Sequence, residues 1–536
     1  MRAPLVRRRT VALAAVAATT AGLLGACATP GDDGVLPDDP DTIRVLAGSE
    51  VEDMGPILAD AAEATGVKVA FHYTGTLEGT ERVAAGGADE GYDAVWFPNN
   101  RYLSLLPEAD ARTGESVRIM SSPVVLGLRA DVAAGLGWDE EPPTWAEVAE
   151  AAADGEFTYG MTNPAASNSG FSALVAVATA LSGTGTALQE EDIEKVTPEL
   201  TDFFSAQKLT AGSSGWLAEK VVAEPDAVDG LINYESVLMG LELGGEPVTI
   251  VTPSDGVVTS DYPLTLLASA SGKQEKFDAL TAWLTTPEVQ ERIAREVHRR
   301  PAVPGVDAGG EFGEGVLFET PFPNTIDVTN TLISTYLESV RAPSQAVFVL
   351  DTSGSMDGDR IESLKSALAG LSGADTSTTG VFTQFRERER ITLLPFNDLP
   401  GAPVVVDVPE DDKTAALEQI RGTTDGLYPS GGTAIYDSLR DGYELAAQQR
   451  AERPDTFVSV VLMSDGENTD GSDAAAFEAW YAGLGAAQRD IPVFVVLFGE
   501  GDVEELTHVA ELTGGQVFDA TNGDLAGAFQ EIRGYQ

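Results

Sequence analysis

The sequence predicts an α/β protein with two lobes in its N-terminal half and a separate doubly wound domain at its C-terminal end. Three observations lead to this prediction. The 536 residues exceed what a single hydrophobic core normally serves. Strand-like and helix-like patterns alternate from residue 42 onward, which is typical of mostly parallel sheets. Near-continuous apolar runs recur after residue 344, as in strands covered by helices on both faces.

The composition is that of packed globular domains and limits the classes of partner. Hydrophobic residues make up 43% of the chain and charged residues 22%. The 33 basic and 85 acidic residues give a formal charge of −52, which repels nucleic acid and anionic membrane surfaces. A nucleic-acid-binding function is therefore disfavoured. The acidity is also what a solvated surface produces, so it marks no site by itself.

The first 27 residues have the features of an export signal. A basic start is followed by an apolar Ala/Val/Leu run and the small-residue ending Leu24-Gly25-Ala26-Cys27. This ending resembles a bacterial lipobox, which implies lipidation of Cys27 and an extracytoplasmic location on the cell membrane. Cys27 is the only cysteine of the chain, so it forms no internal disulfide. A membrane-spanning helix is disfavoured because the apolar run is shorter than the ~20 residues required.

Residues 28–41 are rich in Pro, Gly and Asp and predict a flexible linker before residues 42–325, the predicted two-lobed domain. The second lobe begins near Pro123, and a helix there opens with Thr144 and Glu147 at capping-box spacing. The remaining patterns predict strands at 43–47, 67–73, 123–128, 157–161, 248–251 and 264–267, and helices at 54–62, 171–181, 277–283 and 287–297.

Residues 326–343 are interpreted as a connector containing a helix over 330–340, and residues 344–536 as the C-terminal domain. Its apolar runs predict parallel strands at 347–350, 458–463 and 493–498. Helices are predicted between them, at 360–371, 434–448, 474–488 and 502–513. This alternation predicts a Rossmann-like, doubly wound sheet.

Oxygen-rich loops follow strands of this domain, where ligands of doubly wound sheets bind. They are Asp351-Thr352-Ser353-Gly354-Ser355, Ser430-Gly431-Gly432-Thr433 and Ser464-Asp465-Gly466. A D-x-S-x-S motif followed by a distant Thr and a distant Asp resembles the metal-ion-dependent adhesion site (MIDAS) of von Willebrand factor A (VWA) domains. The resemblance covers residues 344–536 and implies that the metal ligands are Asp351, Ser353, Ser355, Thr433 and Asp465.

Hydroxyl and carboxylate oxygens suit a hard cation, which favours Mg²⁺, with Mn²⁺ or Ca²⁺ as alternatives. The resemblance also implies that a carboxylate of a partner protein completes the coordination shell, so that the ion bridges two proteins. Taken singly, such loops are usually turns or helix caps. The metal interpretation therefore depends on the three parts occurring together.

The N-terminal half resembles two-lobed bacterial extracellular solute-binding proteins of ABC transporters, through fragments such as Leu46–Ser49, Val125–Asp131 and Thr162–Asn163–Pro164. The resemblance implies a fold of the periplasmic-binding type with a cleft facing helix N-termini, which favour an anionic or polar solute. Helix capping explains any single candidate nearly as well. The candidate ligand-binding residues are Ser49, Thr76, Asn99, Ser122, Asn163, Ser169 and Tyr234.

These observations favour a membrane-anchored lipoprotein that binds a partner protein through a divalent metal and has a solute-binding-like N-terminal half, which either binds a solute or keeps only the fold. The alternative is the receptor of an ABC transporter with the C-terminal domain as an accessory docking module. An enzyme is disfavoured, because the chain has only 3 histidines and lacks G-x-S-x-G, H-E-x-x-H and cysteine nucleophile signatures.

Overall fold

The computed structural model describes residues 39–89, 91–310, 312, 317–465, 467–497, 499, 503–521 and 525–536. The predicted export signal, Cys27 and most of the predicted linker lie outside these residues. Asp39 and Asp41 form ion pairs with Lys68 and Lys276, so the end of the predicted linker is held against the first lobe. Within the described ranges, no helix combines the length and apolarity that a bilayer crossing requires.

The N-terminal half alternates strands and helices as predicted. Its strands are β1 (Thr42–Ala47), β2 (Lys68–Tyr73), β3 (Ala94–Trp96), β4 (Thr113–Arg118), β5 (Met120–Leu128), β6 (Tyr159–Thr162), β7 (Gln207–Ala211), β8 (Gly230–Tyr234), β9 (Glu242–Leu243), β10 (Glu246–Pro247), β11 (Thr249–Val251), β12 (Thr259–Ser260), β13 (Pro263–Leu267) and β14 (Arg300–Pro301). Its helices are α1 (Gly55–Thr65), α2 (Thr76–Ala84), α3 (Arg101–Leu105), α4 (Pro107–Asp110), α5 (Ala130–Leu136), α6 (Trp145–Ala153), α7 (Asn168–Ser182), α8 (Glu190–Ser205), α9 (Ser214–Ala223), α10 (Glu235–Met239), α11 (Gln274–Leu284), α12 (Pro287–Glu296) and α13 (Ile326–Thr335).

These elements form two lobes, each with its own sheet and apolar core. The first lobe has the strand order β2-β1-β3-β13-β4, and the second has β11-β5-β8-β6-β7. The chain crosses between the lobes three times, after β4, after β12 and after α12. The predicted capping box is confirmed: Thr144 Oγ1 accepts from the Glu147 amide at 3.2 Å, and the Glu147 carboxylate accepts from the Thr144 amide at 2.7 Å. This pair fixes the start of α6.

The predicted connector is a helix that packs on the second lobe. Val328, Leu332 and Ile333 of α13 are buried in the same cluster as Phe203 and Phe204 of α8. The helical path continues through Tyr336–Val340 and leads directly into the next domain. The predicted helix over 330–340 is thus present but begins earlier in the chain.

The C-terminal domain is a doubly wound sheet, as predicted. Its strands follow the order β17-β16-β15-β18-β19-β20 and are parallel except for the edge strand β17. The strands are β15 (Ser344–Asp351), β16 (Arg390–Phe396), β17 (Val404–Asp407), β18 (Phe457–Ser464), β19 (Val493–Leu497) and β20 (Val517–Asp519). The helices are α14 (Asp359–Ala369), α15 (Thr378–Thr383), α16 (Thr414–Asp425), α17 (Ile435–Glu452), α18 (Ala474–Ala482), α19 (Ala486–Arg489), α20 (Val503–Leu512) and α21 (Leu525–Tyr535).

Helices cover both faces of this sheet. Residues of α17, α18 and α20 are buried in a cluster with one face, and residues of α14, α16 and α21 are buried with the other. The central strand β15 is fully buried along its length. Because β15 and β18 lie side by side and run in parallel, the loops that follow them open at the same edge of the sheet.

Candidate functional site

The fold brings the three oxygen-rich loops of the C-terminal domain together. Leu350 of β15 is paired with Met463 of β18, so Asp351 and Asp465 leave neighbouring strand ends. Backbone hydrogen bonds attach the third loop: the Gly354 amide donates to Gly431 O at 3.0 Å, and the Ser430 amide donates to Thr352 O at 2.8 Å. The sequence-predicted metal ligands therefore share one edge of the sheet.

Four of the five predicted metal ligands form one hydrogen-bonded chain. The Asp351 carboxylate accepts from the Ser353 amide at 2.8 Å, Ser353 Oγ lies 2.9 Å from Ser355 Oγ, and Ser355 Oγ donates to Asp465 at 2.9 Å. The fifth, Thr433, is 4% exposed, and its amide donates to Thr469 Oγ1 at 2.9 Å. The hydroxyls and carboxylates are thus held close together by short local contacts.

Asp351 is the most deeply buried of these groups. Its side chain is fully buried, and its second carboxylate oxygen accepts from Ser464 Oγ at 2.7 Å. Burial raises the pKa of Asp351 above its usual value and the nearby Asp465 carboxylate raises it further, while the hydrogen bonds from Ser353 and Ser464 lower it. A cation placed beside Asp351 would favour its charged form.

Arg360 on α14 was not predicted as part of this site. Its guanidinium contacts the carboxylate of Asp465, whose side chain is fully buried, and donates to Ser355 O at 3.3 Å. The motif that predicts the metal ligands does not include Arg360, so sequence spacing alone could not reveal it. The arginine places a positive charge where a metal ion would also interact.

The chemistry of the donors fits a small hard cation. In the described part of the chain, no group of three or more His, Cys, Asp or Glu side chains is positioned to hold a metal. The candidate centre has instead two carboxylates and three hydroxyls, and such oxygen donors suit an ion that keeps part of its water shell.

A separate cavity of about 210 Å³ lies where the two lobes meet the C-terminal domain. Three of the predicted solute ligands, Ser49, Thr76 and Asn163, line it. The other four, Asn99, Ser122, Ser169 and Tyr234, are buried outside its lining.

Two of these four support the cavity wall through Asn168, which sequence reasoning did not select. The Asn168 amide group donates to Tyr234 Oη and Ser260 Oγ, each at 3.0 Å, and its oxygen accepts from Asn99 at 2.9 Å. Asn168 itself lines the cavity. Asn99 and Tyr234 therefore orient a wall residue.

Ser122 and Ser169 are part of the internal scaffold. Ser122 Oγ accepts from the Ser236 amide at 3.0 Å, and Ser169 Oγ lies 2.8 Å from Thr162 Oγ1 and 2.7 Å from Ser214 Oγ. All of these oxygens are used within the second lobe. Their geometry agrees with the alternative that such serines fix backbone and helix ends.

The cavity wall carries more acid than base. Glu50, Glu78 and Glu531 line it, and burial raises the pKa of Glu50, opposed by the charge of Arg299. Among the described lining residues Arg533 is the sole basic one, and its guanidinium donates to both oxygens of the Glu389 carboxylate, at 2.9 and 3.0 Å. The helix N-termini predicted an anionic or polar solute, whereas these charges favour a neutral or cationic one.

Comparisons with known families agree with this architecture. Residues 43–296 match the model of the bacterial extracellular solute-binding protein family, and residues 346–532 match that of the von Willebrand factor type A domain. The chain is therefore a solute-binding domain of the periplasmic-binding-protein type followed by a VWA domain. Both domains are typically non-catalytic binding modules, and VWA domains commonly bind a divalent metal.

A curated relative, an uncharacterized protein of Synechocystis sp., is 30% identical over 162 residues, which is 30% of this chain and 33% of that protein. The match thus spans about a third of the relative's length.

Similar solved structures cover just over half of the chain. They include apo ferric ion-binding protein A of Pasteurella haemolytica, at 12% identity over 55% of this chain and 96% of that chain, with a TM-score of 0.44. The periplasmic binding protein AfuA of Actinobacillus pleuropneumoniae, with fructose-6-phosphate bound, is 13% identical over 56% of this chain and 98% of that chain, with a TM-score of 0.42.

Proposed function

We propose that this protein is an extracytoplasmic lipoprotein, anchored to the cell membrane at Cys27, that docks a partner protein through a divalent metal in its VWA domain. The observation that carries the proposal is the convergence of Asp351, Ser353, Ser355 and Asp465 at the carboxyl edge of β15 and β18. Together with Thr433 these residues would hold Mg²⁺, or alternatively Mn²⁺ or Ca²⁺. A carboxylate of the partner would take a remaining coordination position.

The metal would supply a positive charge that a partner carboxylate can reach. Ser355 is exposed at the surface while Asp351 and Asp465 are buried, so the candidate centre has an inner, anionic side and an outer, open side. Asp351 is held by Ser464, which fixes the inner side before any ion arrives. This arrangement supports docking at the outer side.

Partner capture tests the docking function. The full chain, immobilised and exposed to an extract of its own cell envelope, is expected to retain a protein in Mg²⁺ and to lose it when a chelator is added. Retention should also be lost in the double variant Ser353→Ala, Asp465→Ala, and kept in Asp411→Asn, an exposed acid that follows β17 at the opposite edge of the sheet. Undiminished capture by the double variant would overturn the proposal.

The anchoring part has its own test. The variant Cys27→Ser is expected to move the protein from the membrane fraction to the soluble extracytoplasmic fraction, because it removes the residue that would carry the lipid. A variant that stays in the membrane fraction would contradict lipid anchoring at this residue.

A second function, as the receptor of an ABC transporter with the VWA domain as an accessory module, is favoured by the cavity between the lobes. Ser49, Thr76, Asn163 and Asn168 would contact a small solute there. The acidic wall supports a neutral polar or cationic solute. A thermal-shift screen of amino acids, sugars, polyamines and oxyanions tests this function; stabilisation by one cationic or neutral compound is expected, and stabilisation by oxyanions alone would contradict the proposed solute class.

A further inference from the structure

The VWA domain contacts the first lobe at the carboxylate of Glu81 and at a nearby apolar pair. Glu81 of α2 accepts hydrogen bonds from the amides of Thr378 and Thr379 at 2.7 and 2.9 Å, and from the hydroxyl of Thr379. These amides open α15. The side chains of Leu77 and Phe382, one from each of these two helices, are buried in the same apolar cluster.

The contact between the VWA domain and the second lobe is larger and more apolar than its contact with the first lobe. The ring of Tyr535 meets that of Trp216 edge to face, with centroids 4.7 Å apart. The backbone at Gly534 approaches Gly212 so closely that an added Cβ would lie 3.0 Å from the Gly212 Cα. One buried cluster joins Leu217 of α9 to residues of α21. The VWA domain is therefore packed on the second lobe through α21 and α9.

The cavity lies between these two contacts. Thr76 begins the helix that carries Glu81, and Asn163 donates to the Arg533 carbonyl of α21 at 3.3 Å. Thr379 and Gly534 line the cavity from the VWA side. A solute bound to the lobes would thus also face the VWA domain.

We infer that the VWA domain is a lid that holds the two lobes closed over the cavity, and that solute exchange requires release of Glu81 from α15. This inference rests on the solute-binding role proposed above. The lobes are joined by three chain crossings, which can act as a hinge. Because the VWA domain is packed on the second lobe, the smaller contact at Glu81 is the one that opens. The first lobe would then swing away from a unit made of the second lobe and the VWA domain.

Other contacts also span this boundary. Tyr102 of the first lobe donates to Asn330 of α13 at 3.2 Å, and Arg101 contacts Glu319. The Tyr102 ring also meets that of Phe171 of α7 edge to face, with centroids 6.4 Å apart, and Asn99 donates to Asn168 across the lobes, so these contacts must separate together with Glu81 when the lobes open.

Thiol reactivity tests the lid without knowledge of the solute. In the full chain carrying Cys27→Ser, the substitution Thr76→Cys places the sole thiol in the cavity wall, at a position that is 7% exposed. Reaction with 5,5′-dithiobis(2-nitrobenzoic acid) is expected to be slow in this protein and at least tenfold faster when Glu81→Ala is added. Glu81→Gln, which keeps the shape and loses the charge, should give an intermediate rate.

Two controls separate lid opening from general loosening. Glu63→Ala, an exposed acid of α1 in the same lobe, should leave the rate unchanged. Ser172→Cys, in the fully buried part of α7, should stay unreactive with and without Glu81→Ala. An unchanged rate at Thr76→Cys, or equal acceleration at both reporter positions, would overturn the lid. Since the assay contains no solute and no metal, its failure would leave the proposed docking and solute-binding functions standing.

Discussion

Asp465 is approached by two kinds of group, the hydroxyl of Ser355 and the guanidinium of Arg360. The arginine side chain is 41% exposed, so it can turn away when a cation takes its place beside the carboxylate. It nevertheless adds a positive charge that a metal must overcome. We therefore expect Arg360, which lies outside the predicted motif, to lower the metal affinity of the candidate centre.

Replacing Arg360 by Gln should strengthen metal binding. A partly exposed charge of this kind is worth roughly 1 kcal/mol, which corresponds to an increase in Mg²⁺ affinity of about fivefold. Calorimetric titration measures the effect, and Lys365→Gln on the same helix is the matched control because its partner Glu362 lies on the surface. A weaker affinity in Arg360→Gln would show that the arginine supports the centre.

Glu389 is a second residue whose surroundings determine its role. Its buried carboxylate accepts from Arg533 and Arg341, from the Arg386 amide at 2.9 Å and from Ser344 Oγ at 3.1 Å. Burial would raise the pKa of Glu389, but the two guanidinium groups outweigh it and hold the pKa below its usual value. The cluster ties the connector to the end of α21 and the start of β16.

Glu389→Gln should destabilise the protein by about 3–5 kcal/mol, because it leaves buried guanidinium groups without their counter-charge. Denaturant unfolding measures this loss. Glu452→Gln, which removes an exposed partner of Arg390, should cost under about 1 kcal/mol. Equal losses in the two variants would contradict the assigned role.

Glu389→Gln should also change how stability depends on pH in the acidic range. A carboxyl group whose pKa is lowered by folding contributes stability above its unfolded pKa and loses it as the pH falls through its folded pKa. Stability should therefore decline less steeply below about pH 4.3 in Glu389→Gln than in the natural protein. If the stability of both proteins falls equally steeply with decreasing pH, the lowered pKa of Glu389 does not contribute to the acid sensitivity of the fold.

At the scale of elements, the conformation of the loop before α17 requires a left-handed backbone at Gly431. Gly431 has a φ of +77°, and its carbonyl accepts from the Gly354 amide in the D-x-S-x-S loop. Side chains disfavour this left-handed conformation by roughly 1–2 kcal/mol. The glycine thus positions Thr433 relative to the serines.

Gly431→Ala should lower stability by about 1–2 kcal/mol and weaken metal binding, since either the strain is retained or the loop moves. Gly422→Ala in α16 is the contrasting variant, because nothing lies within 4 Å of an added Cβ there. It should raise stability by roughly 0.5–1 kcal/mol through helix propensity. Unfolding curves and calorimetry compare the two, and a gain in stability in Gly431→Ala would contradict this account of the loop.

Elements with strong apolar periodicity could be predicted from the sequence. The strands β15, β18 and β19, the capped helix α6 and the two-part division of the chain all follow from local pattern. Short or edge strands such as β3 and β17 could not, because three or four residues carry too little periodicity. The helix α8, which is rich in acidic residues, also lacks a long apolar run.

For the sites, the convergence of the candidate metal ligands was more predictable than the cavity. The candidate metal ligands follow the order of the motif along the chain, and the ends of neighbouring strands bring them together. The cavity is assembled from both lobes and the VWA domain, so single fragments identify Ser49 or Asn163 but do not reveal Asn168 or α21. Contacts between distant segments, such as Glu81 with Thr379, leave no local signal.

For the whole molecule, the charge of −52 predicts a dependence of stability on salt. Self-repulsion among acidic groups destabilises the compact state, and salt shortens its reach from ~10 Å at 0.1 M to ~3 Å at 1 M. The midpoint of thermal unfolding should rise when NaCl increases from 0.05 to 0.5 M (roughly a threefold shorter screening length). Differential scanning calorimetry measures it, and a fall would indicate that ion pairs such as Arg299 with Asp53 outweigh the repulsion.

The two candidate sites lie at opposite ends of the VWA sheet. The candidate metal ligands follow the carboxyl ends of β15 and β18, whereas Gln516, which lines the cavity, directly precedes β20 at the edge where the parallel strands begin. The length of these strands separates the two ends by about 20 Å. A docked partner would therefore leave the lid contacts free to open.

The most direct test of the metal-dependent account is calorimetric titration of Mg²⁺ and Mn²⁺ into the full chain and into Asp351→Ala, with the fold of each checked by circular dichroism. The account predicts one binding site per chain in the natural protein and none in the variant, because Asp351 supplies the buried carboxylate at the end of β15. Absence of binding by the natural protein, or unchanged binding by Asp351→Ala, would contradict it.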